Sequence, residues 1–332
     1  EVIADSDTEI KSESFAAEVR HYPFEKEACQ FTTSDALLNS IWSICRNGVK
    51  CGSQDTYVEK REKGGYLGDN TIVGHAHVYL SGDLRLFKKA IHEIAILSSR
   101  VCPGLVAVAP GHFMQEIADY SFQWPLQLLE YYRQSGDLDF LAQMYPIADR
   151  LLRYFDKYRR PDGLLEQVTD KWNLVDWPKA FRDNYDFDLT QPIGPGCHNV
   201  INAFYFGAQL AVNEIRDILG LPEREDVNGF RKAFQNSFYN KETRLFVDAE
   251  GSEHSALHSN ALPLLFDLVP DEAKSSVVNL IREKRLACGV YMSYFVLKAL
   301  ASAGEYKLVY DLITSNDLHS WATMVNEGAT AC

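Results

Sequence analysis

No apolar run in this chain approaches the roughly 18 residues that a membrane helix needs. Positive charge is also short: 33 Lys and Arg stand against 46 Asp and Glu, giving a net charge of −13. That balance disfavours nucleic acid and anionic membranes as partners, because both would be repelled. No Gly-rich phosphate loop ends in Lys-Ser/Thr, no GxGxxG follows a strand, and no GxSxG elbow occurs. No cofactor is therefore expected. Seven cysteines form no CxxC pair and no zinc spacing. An odd number spread over a large chain reads as free, mostly buried thiols and as a preference for a reducing compartment. His254 and His258 have metal-capable i, i+4 spacing, but no Glu follows the first His as in zinc proteases. A helix N-terminus with polar contacts is the competing reading, and no metal site is expected. Extended-strand signal is thin, confined to residues 105–108 and a short pair around 244–247.

What remains is helix and aromatic bulk. The chain carries 5 Trp, 17 Tyr and 18 Phe, most of which must be core. Ala36, Leu37, Ile41, Ile44 and Cys45 share one face of a helix opened by the capping residues Thr33, Ser34 and Asp35. Helical periodicity recurs after Trp124-Pro125 and over 145–158, 200–219, 261–268, 276–283, 292–303 and 307–314. Three helices end in a small residue, Gly, then an acid: Ser81-Gly82-Asp83, Ser135-Gly136-Asp137 and Ala303-Gly304-Glu305. Gly suits a helix C-cap and the acid suits the next N-terminus. Gly136 to Gly304 spans close to three times the interval from Gly82 to Gly136. About six units of that period would fill the chain, which predicts a closed ring of paired helices. Such a ring gathers its connecting loops over a central pocket, where sites sit.

The chemistry concentrates in residues 54–69, QDTYVEKREKGGYLGD. Asp55, Glu59, Glu62 and Asp69 lie between two helical patterns, and Gly64, Gly65 and Gly68 predict a shaped loop there. Carboxylates clustered on a loop are what sugar chemistry needs, an acid for a leaving oxygen and partners for charge and hydroxyls. The competing reading is that a mixed charge run such as EKREK is a solvated face. Two further segments carry the same ambiguity. In WNLVDWP, Trp172, Asp176 and Trp177 form either a sugar-binding wall or a hydrophobic plug for the ring. Asp119 and Ser121, just before Trp124-Pro125, read as helix N-caps. His75 and His77, lacking an acidic partner pattern, read as structural.

REKGGYLGD, Arg61 to Asp69, resembles the signature of bacterial α-L-rhamnosidases of glycoside hydrolase family 78. That signature is commonly Asp-Cys-Pro-x-Arg-Glu-Lys-x-Gly-Tyr/Trp-x-Gly-Asp. EIADYSFQWP, WNLVDWP, HSALHSNALPLLFDLVP, GVYMSYFVLKALASAGEY and SNDLHSWATMVNEGAT are similar to further segments of the family, in the usual order, from about Phe24 onward. The resemblance implies an all-α (α/α)6 barrel over residues 24–332 that hydrolyses terminal α-L-rhamnosides with inversion. Residues 1–23 then read as a linker or the tail of a preceding domain, with accessory β-sandwich domains in the parent protein. A bacterial cytoplasmic location is the expectation that joins the family to the thiols.

Residue by residue, the resemblance makes Glu62 the general acid and Asp69 a binder of rhamnose hydroxyls. Arg61 and Tyr66 line the same pocket, Tyr66 standing where many relatives have Trp. Trp124, Trp172 and Trp177 become ring-stacking walls. Two departures stand out. The Asp-Cys-Pro is absent, since the chain runs Tyr57-Val58-Glu59-Lys60-Arg61, two residues short; Glu59 or Asp55 is expected to take that Asp's place. Relatives also continue after Gly-Ala-Thr with a segment holding the Glu that activates water, so the base is expected beyond Cys332 and the barrel incomplete at its C-terminus. The alternatives are a ring-barrel glycosidase for another sugar, and a sugar-binding or scaffold protein that has lost catalysis.

Overall fold

Helix starts follow from local capping chemistry. Asp35 caps the first helix, α1 (Ala36–Gly52), by accepting from the Leu37 and Leu38 amides at 2.8 and 3.2 Å. Asp137 does the same for α6 (Leu138–Phe155), and Asp226 for α8 (Val227–Phe238). The computed structural model describes residues 16, 18, 20–25, 28–58, 65–101, 108–109, 116–185, 196–318 and 320–332. Glu59, Arg61 and Glu62, the core of the sequence signature, lie outside the described residues.

Burial divides the helices into two rings. The inner ones are α2 (Leu67–Ser81), α5 (Trp124–Ser135), α7 (Asn199–Ile218), α9 (His258–Leu265) and α11 (Val290–Ser302). In α7 every residue from Asn199 to Gln209 is buried, so this helix has no solvent face over its first half. The outer ones are α3 (Arg85–Val101), α6, α8, α10 (Asp271–Lys284) and α12 (Tyr306–Ile313). Helix α8 buries only Phe230, Phe234 and Phe238, a single stripe at i, i+4 spacing. The inner helices meet in the circular order α2, α5, α7, α9, α11 and back to α2. Each outer helix packs on the inner one that precedes it, and α1 packs on α2 and on α13 (Trp321–Asn326). The α1–α13 seam is pinned where Asn47 Nδ2 donates to the Thr330 carbonyl at 2.7 Å. With α1 and α13 as the sixth pair, these five pairs make up the all-α (α/α)6 toroid expected from the sequence.

The Gly-acid turns are where the reading placed them. Gly82, Gly136 and Gly304 all have left-handed φ, between 66° and 80°. Among the described residues, the strands form two small ribbons. β1 (Gly65–Tyr66) pairs with β2 (Val108–Ala109), and β3 (Tyr239–Asn240) with β4 (Leu245–Phe246). Three expectations change. The glycine-rich segment is not all loop, because Gly68 and Asp69 already belong to the first turn of α2. An added Cβ on Gly68 would run into the ring of Tyr120, so this glycine serves close packing rather than a turn. The described cysteines are free but not mostly buried, since only Cys197 among them is buried.

Candidate active site

The N-terminal ends of the inner helices converge on one cluster. Tyr66 stands at the N-cap of α2 with an extended backbone held by the β1–β2 ribbon. Asp69 follows in the first helical turn, where unpaired backbone N–H groups favour negative charge. It is half-buried, and the Tyr120 hydroxyl approaches its Oδ2 at 3.5 Å. Tyr120 lies on the single turn α4 (Ala118–Ser121). Its ring is 5.1 Å from that of Tyr291, the second residue of α11. Gln123 Nε2 donates to the Tyr291 hydroxyl and to the Asp119 carbonyl. Burial pushes both phenols well above their ordinary range, and nearby carboxylates push the same way, so both stay protonated as donors.

Asp119 is the acid that the sequence reading assigned elsewhere. It does not cap a helix; it is fully buried on α4 and accepts from the Leu174 amide at 3.0 Å. Its Oδ2 has no hydrogen-bond partner among the described residues. Burial raises its carboxyl to about 7; the backbone N–H groups of Leu174, Asp119 and Val175 oppose the shift and Asp176 adds to it. Burial thus favours the protonated form of Asp119 well above the ordinary carboxylate range, so this acid can donate as well as accept. Ser121 is likewise no cap, since its hydroxyl donates back to the Ile117 carbonyl at 2.9 Å.

The loop carrying Trp172 and Trp177 joins this cluster through its backbone. The Ala118 amide donates to the Trp172 carbonyl at 2.8 Å, and the Trp172 amide to the Glu116 carbonyl at 2.9 Å. Trp172 is half-buried and Trp177 is 51% exposed, so the two indoles of this loop differ in how far they are open to solvent. Asp176 between them is buried against His258. His254 pairs instead with Asp248 at 2.6 Å, so the two histidines answer to separate carboxylates.

The structure separates other expected residues from the cluster. Trp124 is fully buried and its indole donates to the Ile91 carbonyl of α3 at 3.1 Å. It has no free face for a sugar and is core. Asp55 is exposed in the turn after α1, where its carbonyl accepts from Lys89 of α3 at 2.6 Å. Its carboxylate has no partner among the described residues and does not join Asp69. His77 is structural, bonded to the Tyr57 hydroxyl at 2.8 Å. His75 has an acidic neighbour that the pattern did not show, Glu130 at 3.3 Å. Tyr291 was missed because GVYMSYF offers no polar break to set it apart from core.

Comparison with known proteins fits this arrangement. Residues 26–332 match the family model described as the bacterial alpha-L-rhamnosidase 6 hairpin glycosidase domain. The chain belongs to that family. It is 20% identical to an α-L-rhamnosidase of Formosa agariphila over 92% of its own length and 34% of the relative's. It is 22% identical over 60% of its length to 22% of an Alteromonas α-L-rhamnosidase. Among solved structures it superposes on a family 78 rhamnosidase of Bacillus sp. GL1 with a TM-score of 0.81 and 22% identity. That superposition covers 94% of this chain and 32% of the other. A Klebsiella oxytoca rhamnosidase with rhamnose bound gives 0.75 at 14% identity, over 90% of this chain and 57% of the other. The chain thus spans about a third of the Formosa relative and less of the Alteromonas one.

Proposed function

We propose that this domain is the catalytic barrel of a glycoside hydrolase that releases terminal L-rhamnose from α-L-rhamnosides with inversion. Family membership over residues 26–332 is the observation that carries the proposal. In this reading Glu62 protonates the glycosidic oxygen while a water attacks from the opposite face of the sugar. A second carboxylate, expected on the segment that follows Gly328-Ala329-Thr330 in relatives, deprotonates that water. Inversion requires the two carboxyls to stand about 6.5–9.5 Å apart. Arg61 and Glu59 belong to the same pocket in the resemblance.

Asp69, Asp119, Tyr120 and Tyr291 hold the sugar hydroxyls. A carboxylate, a carboxyl whose burial favours its protonated form and two protonated phenols supply both acceptors and donors, as a polyol requires. Trp172 and Trp177 face the ring and the leaving group. Residues 24–332 form the barrel in this proposal, and the intact protein adds β-sandwich domains around it.

The test uses the intact protein and a panel of aryl glycosides. The aryl α-L-rhamnoside is hydrolysed, β-L-rhamnose appears first, and Glu62→Gln lowers turnover by about 10²–10⁴-fold. Near-normal turnover by that variant removes Glu62 from the acid's role. Hydrolysis of a different glycoside in the panel moves the protein to another sugar. Rhamnose binding with no hydrolysis makes it a sugar-binding scaffold.

A further inference from the structure

Asp176 ties three separate segments to one buried carboxylate. Its Oδ1 accepts from the Trp177 amide at 2.8 Å. Its Oδ2 accepts from the Gly289 amide at 2.7 Å and faces His258 Nε2 at 2.8 Å. Asp176 and His258 both have no exposed side-chain surface. A carboxylate in this position accepts, so His258 Nε2 is the donor, and Nδ1 has no hydrogen-bond partner among the described residues. His258 is the first residue of α9, and Gly289 is the N-cap of α11. An added Cβ on Gly289 would collide with the Trp177 carbonyl, so the loop and the helix start are in direct contact. Two residues beyond Gly289 stands Tyr291, packed on Tyr120.

We propose that Asp176 and His258 are a positioning pair for the sugar pocket. They hold Trp177 at its rim and Tyr291 on its floor in one fixed arrangement. Neither residue touches the sugar. His258 orients the carboxylate, and the carboxylate orients the two backbone amides that carry the pocket residues. Bonds at 2.7–2.8 Å to a buried carboxylate are short and charge-assisted, which suits a rigid tether. A scaffold contact placed elsewhere would link elements without linking two pocket residues.

This inference rests on the rhamnosidase reading, and two readouts separate the two. The first is kinetic, with the aryl α-L-rhamnoside. A misplacement near 1 Å costs up to about 100-fold, so Asp176→Asn and His258→Leu are expected to raise KM by about ten- to a hundredfold. His258→Gln, which keeps a donor, restores most of the loss. Asp176→Asn costs less when placed on Trp177→Ala than when placed on wild type, because the group it positions is gone. The second readout is amide hydrogen exchange, which needs no activity. The Trp177 and Gly289 amides exchange slowly in wild type and much faster in Asp176→Asn. If wild type cleaves no rhamnoside, the functional reading fails and the exchange result alone judges the tether. Unchanged KM in folded His258→Leu, full additivity with Trp177→Ala, or unchanged exchange at both amides overturns the pair. Should Asp176→Asn fail to fold, the His258→Gln and His258→Leu comparison decides on both readouts.

Discussion

Asp119 and Asp248 are both fully buried acids near the starts of inner helices, and they are partnered very differently. Asp248 is saturated. Its Oδ1 accepts from the Ala256 amide at 2.8 Å and from the Ser259 hydroxyl, and its Oδ2 faces His254 at 2.6 Å. Around it, Asn199 reaches the Val247 and Ser259 carbonyls, and Asn260 reaches those of Phe246 and Ala256. This sector knits α7, β4 and α9 into one piece. Asp119 accepts from the Leu174 amide, and its Oδ2 has no hydrogen-bond partner among the described residues. A buried acid with a full set of donors is scaffold; a buried acid with too few keeps its proton and is available for chemistry.

The largest expected effect tests the scaffold half of that contrast. Asp248→Ala removes the hub and strands the Ala256 amide, Ser259 and His254. Breaking a buried network this way costs about 3–5 kcal/mol. Urea unfolding of the variant should show that loss, with KM for the aryl rhamnoside little changed in whatever remains folded. A loss below about 1 kcal/mol would place Asp248 with ordinary surface acids.

Asp119→Asn comes next and should behave in the opposite way. The folded-state carboxyl titrates near 7, above its unfolded value of about 3.9, so the native state binds the extra proton between those limits. Wild-type stability therefore falls as pH rises from about 4 to about 7, and the fall is complete above the folded value. Three units at 1.36 kcal/mol each set an upper scale of about 4 kcal/mol. Asn cannot ionise, so the variant lacks that slope and gains on wild type by a few kcal/mol between pH 5 and pH 8. His198, whose burial lowers it to about 3, imposes the reverse slope, but it does so in both proteins and cancels in the difference. KM should rise in the variant, since one oxygen that could accept from a sugar hydroxyl becomes a fixed donor. A flat stability difference across that pH range would show that Asp119 is ionised throughout.

The sequence carried most of the scaffold and less of the site. Helix spans, the Asp35 cap and the three Gly turns were legible because each depends on residues within a few positions. Asp119 was not legible as a buried acid. An Asp just before Trp-Pro is also what an N-cap looks like, and only the docking of Leu174 onto α4 distinguishes the two. Trp124 failed for a similar reason: nothing local says that its indole reaches Ile91 on another helix. Gly68 read as a loop residue because its partner, Tyr120, is far along the chain. Glu62, Arg61 and Glu59 rest on the signature alone, as they lie outside the described residues.

The smallest expected effect comes from the opposite ends of the inner helices. Gly136 caps α5 with φ 68°, and its amide donates back to the Tyr132 carbonyl at 2.7 Å. An added Cβ there meets nothing within 4 Å. The cost of Gly136→Ala is then backbone strain alone, about 1–2 kcal/mol for a left-handed residue with a side chain. Gly136→Asn should lose less, because Asn tolerates that conformation. Both variants should keep wild-type KM and turnover per folded molecule, since α5 presents this end away from Asp69 and Asp119. Thermal unfolding and aryl rhamnoside kinetics on the same samples check this. A kinetic change in Gly136→Ala would mean that strain at the C-terminal ends of the inner helices reaches their N-terminal ends, and the division between scaffold and site would then have to be drawn through the helices rather than around the rim.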